Sequence, residues 1–227
     1  MILGVIPARL NSTRFPSKVI FPLKGKPIIE HVYDKALQSD LLSKVIVAVD
    51  SEETKNVINC QNIIMTSDKH QSGTDRVAEV ANNFDCDIVV NIQGDEPGID
   101  PLLIDQLITL FDDPNVEMAS IASTDLQKDD LNNDNVVKVN LDKENNAISF
   151  IRNNLNPDLT YYRHIGIYAY RKNTLNLFTS LTQSDNEKNH RLEQLRALDN
   201  NIAIKLLISD FSHRSIDVKE DLKNYEN

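Results

Sequence analysis

The chain opens on an unbroken apolar run, Ile2 to Pro7, too short for a helix and with no polar alternation, which predicts a strand buried on both faces. Residues 8–25 are polar and carry the breaks Pro16, Pro22 and Gly25. From Pro27, which suits a first helical turn, Ile28, Ile29, Val32, Tyr33, Ala36 and Leu37 recur at helical spacing. Residues 44–50, KVIVAVD, predict a second strand, and Asp50-Ser51-Glu52-Glu53 a helix start with acids in its first turn. The alternation continues with a short strand at 63–66 and a helix at 74–84 that places Val77, Val80, Ala81 and Phe84 on one face. A strand at 87–92 and a helix from Pro101 to Leu110 follow. Strands alternating with helices predict a parallel α/β sheet with right-handed crossovers.

After residue 116 the pattern changes. A strand at 116–122 is followed by apolar runs at 136–141 and 147–152, separated by the polar turn Asp142-Lys143-Glu144-Asn145-Asn146, a spacing that predicts a hairpin. A strand at 164–170, helices at 172–180 and 191–200, a strand at 203–208 and a last helix at 218–225 complete the chain. No repeat of 20–50 residues and no low-complexity linker interrupts it. The expectation is one α/β domain, residues 1–227, with an antiparallel arm at about 125–170.

Composition narrows the function. With 41% apolar and 26% charged residues, the 227-residue chain can bury a real core. No apolar run approaches the roughly 20 residues that span a bilayer. The short apolar start runs straight into Pro7 and Arg9, without the basic-then-apolar order of a signal peptide. Cys60 and Cys86 have no metal-ligand spacing and suggest a reducing compartment, so a cytoplasmic protein is expected. Lys+Arg is 24 against Asp+Glu at 34, a net charge of −10, which argues against a general nucleic-acid binder. An anionic ligand would need a local basic patch or a metal ion.

Such a patch exists in residues 6–18, IPARLNSTRFPSK. Arg9, Arg14 and Lys18 follow a strand at its carboxyl end, where open α/β sheets bind ligands, and three cations there can hold a polyphosphate. The alternative is a solvated basic loop. In residues 91–97, NIQGDEP, Asp95 and Glu96 follow a strand and a glycine and offer the hard oxygens that Mg²⁺ takes; alternatively they cap the helix after Pro101. In residues 213–222, HRSIDVKEDL, Asp217 is a helix cap unless it pairs with Asp95, when two carboxylates could serve one Mg²⁺ beside a triphosphate. In residues 70–76, HQSGTDR, Ser72-Gly73-Thr74 could let the backbone approach a nucleobase or sugar; alternatively Thr74 simply caps a helix. Arg152, Arg163-His164 and Glu193-Gln194 are polar groups at the ends of apolar segments, and a lone His at a strand start is more often structural than catalytic.

In combination, IPARLNSTRFPSK, HQSGTDRVAEV, VNIQGDEP, VVKVNLD, RHIGIYAYR, LEQLRAL and IDVKEDL resemble, in order and spacing over nearly the whole chain, the CMP-Kdo synthetases, the 3-deoxy-manno-octulosonate cytidylyltransferase family. The resemblance implies a Rossmann-like nucleotidyltransferase fold, a mainly parallel central sheet with an antiparallel dimerisation arm, and a homodimer. It implies an enzyme that activates a sugar acid with CTP and Mg²⁺ for lipopolysaccharide biosynthesis, with CTP and an acidic sugar as partners and neither nucleic acid nor membrane. Arg9, Arg14 and Lys18 would hold the triphosphate. Ala8, Arg9, Ser72, Gly73, Thr74, Arg76 and Gln93 would surround the nucleotide. Asp95 and Asp217 would hold Mg²⁺. Gln93, Arg152, His164, Glu193 and Gln194 would line the sugar-acid pocket.

Departures from the family pattern fall mainly on the sugar side. Ser17 replaces a usual glycine, His190 a common Glu, Ser215 a Gly, and Val218-Lys219 a Thr-Pro pair, while the stretch 152–163 is short. Two competing expectations follow: the same transfer to another acidic sugar, an amino-substituted octulosonate or a nonulosonate, or a non-catalytic nucleotide-binding module.

Overall fold

The computed structural model describes residues 1–10, 15–212, 215–216 and 218–225. Its contacts divide the chain into two compact units, Met1–Asp105 with His213–Asn227, and Gln106–Ser212. The chain leaves the first unit inside a helix and re-enters it after Ser212, with no Gly- or Pro-rich linker at either point. A sequence without such linkers reads as one domain.

The first unit is built on four parallel strands. β1 (Ile2–Ala8) pairs with β4 (Lys44–Val49) on one side and β6 (Ile88–Asn91) on the other, and β5 (Ile63–Met65) adds to β4. Between β1 and β4 lies a small hairpin, β2 (Pro22–Leu23) with β3 (Lys26–Pro27). Its turn residues Lys24 and Gly25 both have positive φ, 48° and 88°, as tight hairpin turns require. Leu3, Val5 and Ile6 of β1 are fully buried. α1 (Ile28–Ala36) and α3 (Gly73–Ala81) pack against β1. α1 buries Ile28, Ile29, Val32, Tyr33 and Ala36, and α3 buries Val77, Val80 and Ala81, the residues their helical spacing selects. α2 (Glu52–Val57) starts at Ser51, whose hydroxyl accepts from Thr54 N at 3.1 Å. α4 (Pro101–Thr109) starts in this unit. Because all four strands run the same way, Arg9, Asp50, Thr66 and the turn after Asn91 emerge on one edge of the sheet.

The second unit is mixed. β7 (Met118–Ser123) pairs antiparallel with β10 (Tyr162–Arg171) and parallel with β11 (Ile204–Ser209). After the single turn α5 (Lys128–Leu131), β8 (Lys138–Leu141) and β9 (Ala147–Ile151) form the expected hairpin, and β8 also pairs with β10. Three helices follow β10: α6 (Lys172–Ser180), α7 (Asp185–His190) and α8 (Leu195–Asp199). Val139, Phe150, Ile165, Ile167, Leu175, Phe178, Ile204 and Leu206 form its interior.

The α/β class, the mainly parallel sheet and the antiparallel strands inside 125–170 match expectation. Two boundaries differ. The helix expected at 191–200 is confined to α8. It is preceded by the polar helix α7, which apolar spacing does not signal and which Ser184 caps by accepting from Glu187 N at 3.1 Å. The last helix is a 3-10 segment, Lys219–Tyr225.

Candidate nucleotide and sugar-acid sites

In the first unit the described residues build a compact cationic and anionic centre. Ala8 ends β1 and is fully buried. Arg9 is exposed, and its Nη1 donates to Gln71 O at 2.9 Å. Ser17 N donates to Leu10 O at 3.0 Å. Ser17 takes a left-handed backbone (φ 56°, ψ 23°) and starts the 3-10 turn Lys18–Ile20. Lys18 is buried, and its ammonium is ion-paired with Asp95 Oδ2. Arg14 and Asp217 lie outside the described residues.

Asp95 is held from three directions. Gly94 lets the turn after β6 rest on the end of β1: a Cβ there would meet Pro7 O at 3.1 Å. Ile216 N donates to the Asp95 carbonyl at 3.0 Å, fixing the C-terminal segment one residue before Asp217. Phe15, Leu23, Ile28, Ile216 and Leu222 form one apolar cluster, with Phe21 and Tyr225 packed on it. Tyr225 covers Gly98, where a Cβ would approach its hydroxyl to 3.1 Å. Burial and the charge of Glu96 push the Tyr225 phenol up to about 12. The segment around Phe15 and the C-terminal segment thus share one small core, and the acidic turn is bonded to it through Asp95 O and Ile216 N. Asp95 faces Lys18, and it is Asp100 that bonds the N-terminus of α4, accepting from Leu102 N at 3.0 Å.

The residues at 70–76 sit at the start of α3. Ser72 caps it in a reciprocal box with Asp75, so Thr74 is not the cap; it lies buried in the first turn. Gly73 lies against Pro7, with its absent Cβ 3.4 Å from Pro7 Cγ. Thr74 Oγ1, Asn91 and Gln93 form a chain of long bonds, 3.5 Å each, leading to the partly exposed Gln93. Arg76 is fully buried. Its Nη2 donates to Asp50 Oδ2 at 3.3 Å, its Nη1 donates to Thr66 Oγ1, and Thr66 Oγ1 donates to Val49 O at 2.8 Å. Burial lowers the Arg76 pKa against the pull of Asp50. Beside it, Glu79 binds the 67–70 loop through Ser67 N (3.0 Å) and His70. Burial would raise its carboxyl, but those bonds hold it below the usual range.

The second unit brings the other predicted residues together. Arg152 is partly exposed, and its Nη1 donates to Asp134 O at 2.8 Å. Lys138, fully buried, donates to Asn133 O at 2.8 Å and to the Arg152 carbonyl at 2.5 Å, tying the two loops together. Burial lowers the Lys138 pKa, against the pull of Asp134 and Asp130. His164 lies edge-on to Phe150 (centroids 5.0 Å, 79°) and 5.4 Å from the Tyr168 ring. Dense packing, with Arg152 adding repulsion, pushes its imidazole down to about 3. Burial and the charge of Glu193 raise the Tyr168 phenol. Gln194 is buried, whereas Glu193 is partly exposed and faces Arg196 at 3.6 Å. Arg196 forms a two-point buried pair with Glu187, at 2.8 and 2.6 Å.

No helix among the described residues is long and apolar enough to cross a membrane. Among them, too, no three His, Cys, Asp or Glu groups cluster to hold a metal.

A first unit of parallel strands with Arg9, Lys18 and Asp95 at its carboxyl edge has the arrangement expected of a nucleotidyltransferase. The profile of a family described as cytidylyltransferase matches residues 3–206. A 3-deoxy-manno-octulosonate cytidylyltransferase of Trichlorobacter lovleyi is 39% identical, over 97% of this chain and 95% of that protein. One of Koribacter versatilis is 40% identical, over 99% and 88%. The solved structure of a CMP:2-keto-3-deoxy-manno-octonic acid synthetase complexed with CTP superposes with a TM-score of 0.91 at 33% identity, covering 98% of this chain and 95% of that one. The chain belongs to the 3-deoxy-manno-octulosonate cytidylyltransferase family.

Proposed function

We propose that the protein transfers a cytidylyl group from CTP to the anomeric hydroxyl of 3-deoxy-manno-octulosonate or a close relative. The hydroxyl oxygen attacks the α-phosphorus, the bond to the β-phosphate breaks, and pyrophosphate leaves. The observation that carries this reading is the Lys18–Asp95 pair, held by Gly94, Ser17 and Ile216 at the carboxyl edge of a parallel sheet, in a chain of this family.

The residues divide the work by unit. In the first, Arg9, Arg14 and Lys18 would neutralise and orient the triphosphate, Arg by forked bonds and Lys as a point charge. Ser72, Gly73, Thr74 and Gln93 would meet the nucleotide. Arg76, buried beneath them, braces the ends of β4 and β5 through Asp50 and Thr66. In the second unit, Arg152 would take the sugar carboxylate, and His164, Glu193 and Gln194 would line the sugar pocket.

The carboxylate of Asp95 suits Mg²⁺, which takes one or two carboxylates and fills its shell with phosphate oxygens and water rather than using an all-protein cage. Asp95 and Asp217 would hold it, and the bound ion supplies charge neutralisation at phosphorus and a lowered hydroxyl pKa. Before substrate arrives, Lys18 balances the Asp95 charge.

The product would serve lipopolysaccharide synthesis in the cytoplasm, and the antiparallel strands β8–β10 would form the dimer contact. Pyrophosphate release tests the activity, measured with CTP, UTP, ATP and GTP against a panel of octulosonates and nonulosonates. Release with CTP and the octulosonate supports the reading. Release with a nonulosonate alone reassigns the sugar, and CTP binding without release on any acid overturns transfer. Light scattering tests the dimer, which a monomeric mass would rule out.

A further inference from the structure

Ser120 is fully buried in β7, near the point where β10 is irregular between Ile165 and Ala169. Its hydroxyl oxygen has three neighbours: Ile167 O at 2.8 Å, Ile165 O at 3.2 Å and His164 Nε2 at 2.9 Å. A serine hydroxyl has one proton to give, and a carbonyl can only accept. If that proton went to Nε2, two carbonyl oxygens would face the hydroxyl oxygen in a buried site with nothing between them. The proton therefore goes to the carbonyls, Ile167 O being the nearer, and Nε2 must itself be the donor to Ser120. The ring carries one N–H, on Nε2, because its packing between Phe150 and Tyr168 and the charge of Arg152 oppose a second proton. Nδ1 then bears a lone pair. Among the described residues Nδ1 makes no hydrogen bond, and His164 is partly exposed.

We infer that Ser120 is a positioning residue that fixes His164 as an acceptor at Nδ1 for a hydroxyl of the sugar acid; this rests on the reading of His164 as a sugar-pocket residue. An acceptor suits a polyhydroxylated ligand whose carboxylate is taken elsewhere, by Arg152. A cationic imidazole would compete for that carboxylate. A lone-pair nitrogen does not, and it leaves the hydroxyls to fix the orientation of the sugar.

The test is nitrogen-15 NMR of the full-length protein at pH 7, with His164 assigned by its loss in His164→Gln. A protonated Nε2 and an unprotonated Nδ1 are expected, and the reverse pattern overturns the inference in the wild-type protein, whatever the variants do. Ser120→Ala is expected to mix the tautomers and raise KM for the octulosonate about fivefold, the worth of one hydrogen bond, with KM for CTP within about twofold. His164→Asn keeps an acceptor near the Nδ1 position, whereas His164→Gln keeps only the Ser120 partner. Asn is expected to retain more sugar affinity than Gln, and equal or reversed losses count against the acceptor role. Should the wild type release no pyrophosphate with any sugar acid, the functional reading has failed. Should it turn over while Nε2 carries the lone pair, only this inference has.

Discussion

Lys18 and Asp95, 77 positions apart in sequence, meet as an ion pair at the end of β1. The small apolar core around Phe15 and Ile216 lies beside them, and Ile216 N ties it to the Asp95 carbonyl. Asp95→Asn is expected to abolish pyrophosphate release while the thermal melt stays cooperative; near-normal turnover would remove Asp95 from the mechanism. Lys18→Met should slow kcat about 10²–10³-fold, the scale of losing one donor to developing charge on phosphate oxygens.

Ser17 stores backbone strain. A non-glycine residue in the left-handed region costs roughly 1–2 kcal/mol, and no side-chain cap bond offsets it here. Ser17→Gly relieves that cost but frees the unfolded chain by about 0.4–1 kcal/mol. The net gain should be about 0.5–1 kcal/mol, raising Tm by roughly 2 °C. A scan showing no rise, or a fall, would mean that the hydroxyl contributes something its contacts do not reveal.

How far the sequence foretold this molecule depended on the kind of signal. Apolar periodicity located the four parallel strands and the helices α1 and α3, because each buries a face. α7 escaped because DNEKNH is polar throughout and is held by its cap and by the inward-facing Glu187. Arg9, Lys18 and Asp95 were legible as charges at strand ends. Ser120 and Asp50 were not, since a small polar residue beside an apolar strand looks the same whether it bonds a neighbour or water. Lys138 left a trace, a lone lysine inside VVKVNL, but only the fold shows that it bonds backbone carbonyls and not solvent.

Lys138→Met should therefore act twice. It leaves the carbonyls of Asn133 and Arg152 without their donor, a loss of about 1–3 kcal/mol, measurable by urea unfolding. It also loosens the loop carrying Arg152, so KM for the sugar acid should rise more than KM for CTP. An equal rise in both would assign the residue to general stability alone.

The Glu187–Arg196 pair accounts for part of the LEQLR motif without any ligand. Arg196 is bound at two points by Glu187 and lies 4.8 Å from the Phe178 ring centroid. Removing one partner leaves a buried charge, so Glu187→Gln should cost about 3–5 kcal/mol. Glu187→Met combined with Arg196→Met should cost much less than the sum of the two single changes. Additive losses in chemical denaturation would show that the pair is not coupled.

His164 also gives the protein an acid-side stability limit. Its folded pKa, about 3, lies below the ordinary value of 6.5, chiefly through burial and then through the charge of Arg152. Between those values the unfolded chain binds a proton that the folded protein refuses, so stability is full above pH 6.5 and falls as the pH drops toward 3. The slope from this one group approaches 1.4 kcal/mol per pH unit in the middle of the window. Carboxylates that release stability in the same range blur the total, so the comparison is with His164→Gln, which keeps a donor for Ser120 and cannot titrate. The stability difference between the two proteins, measured by urea unfolding at pH 7, 6, 5 and 4.5, should shift steadily in favour of the variant. A constant difference would mean that the imidazole takes up its proton in the folded state as readily as in the unfolded chain.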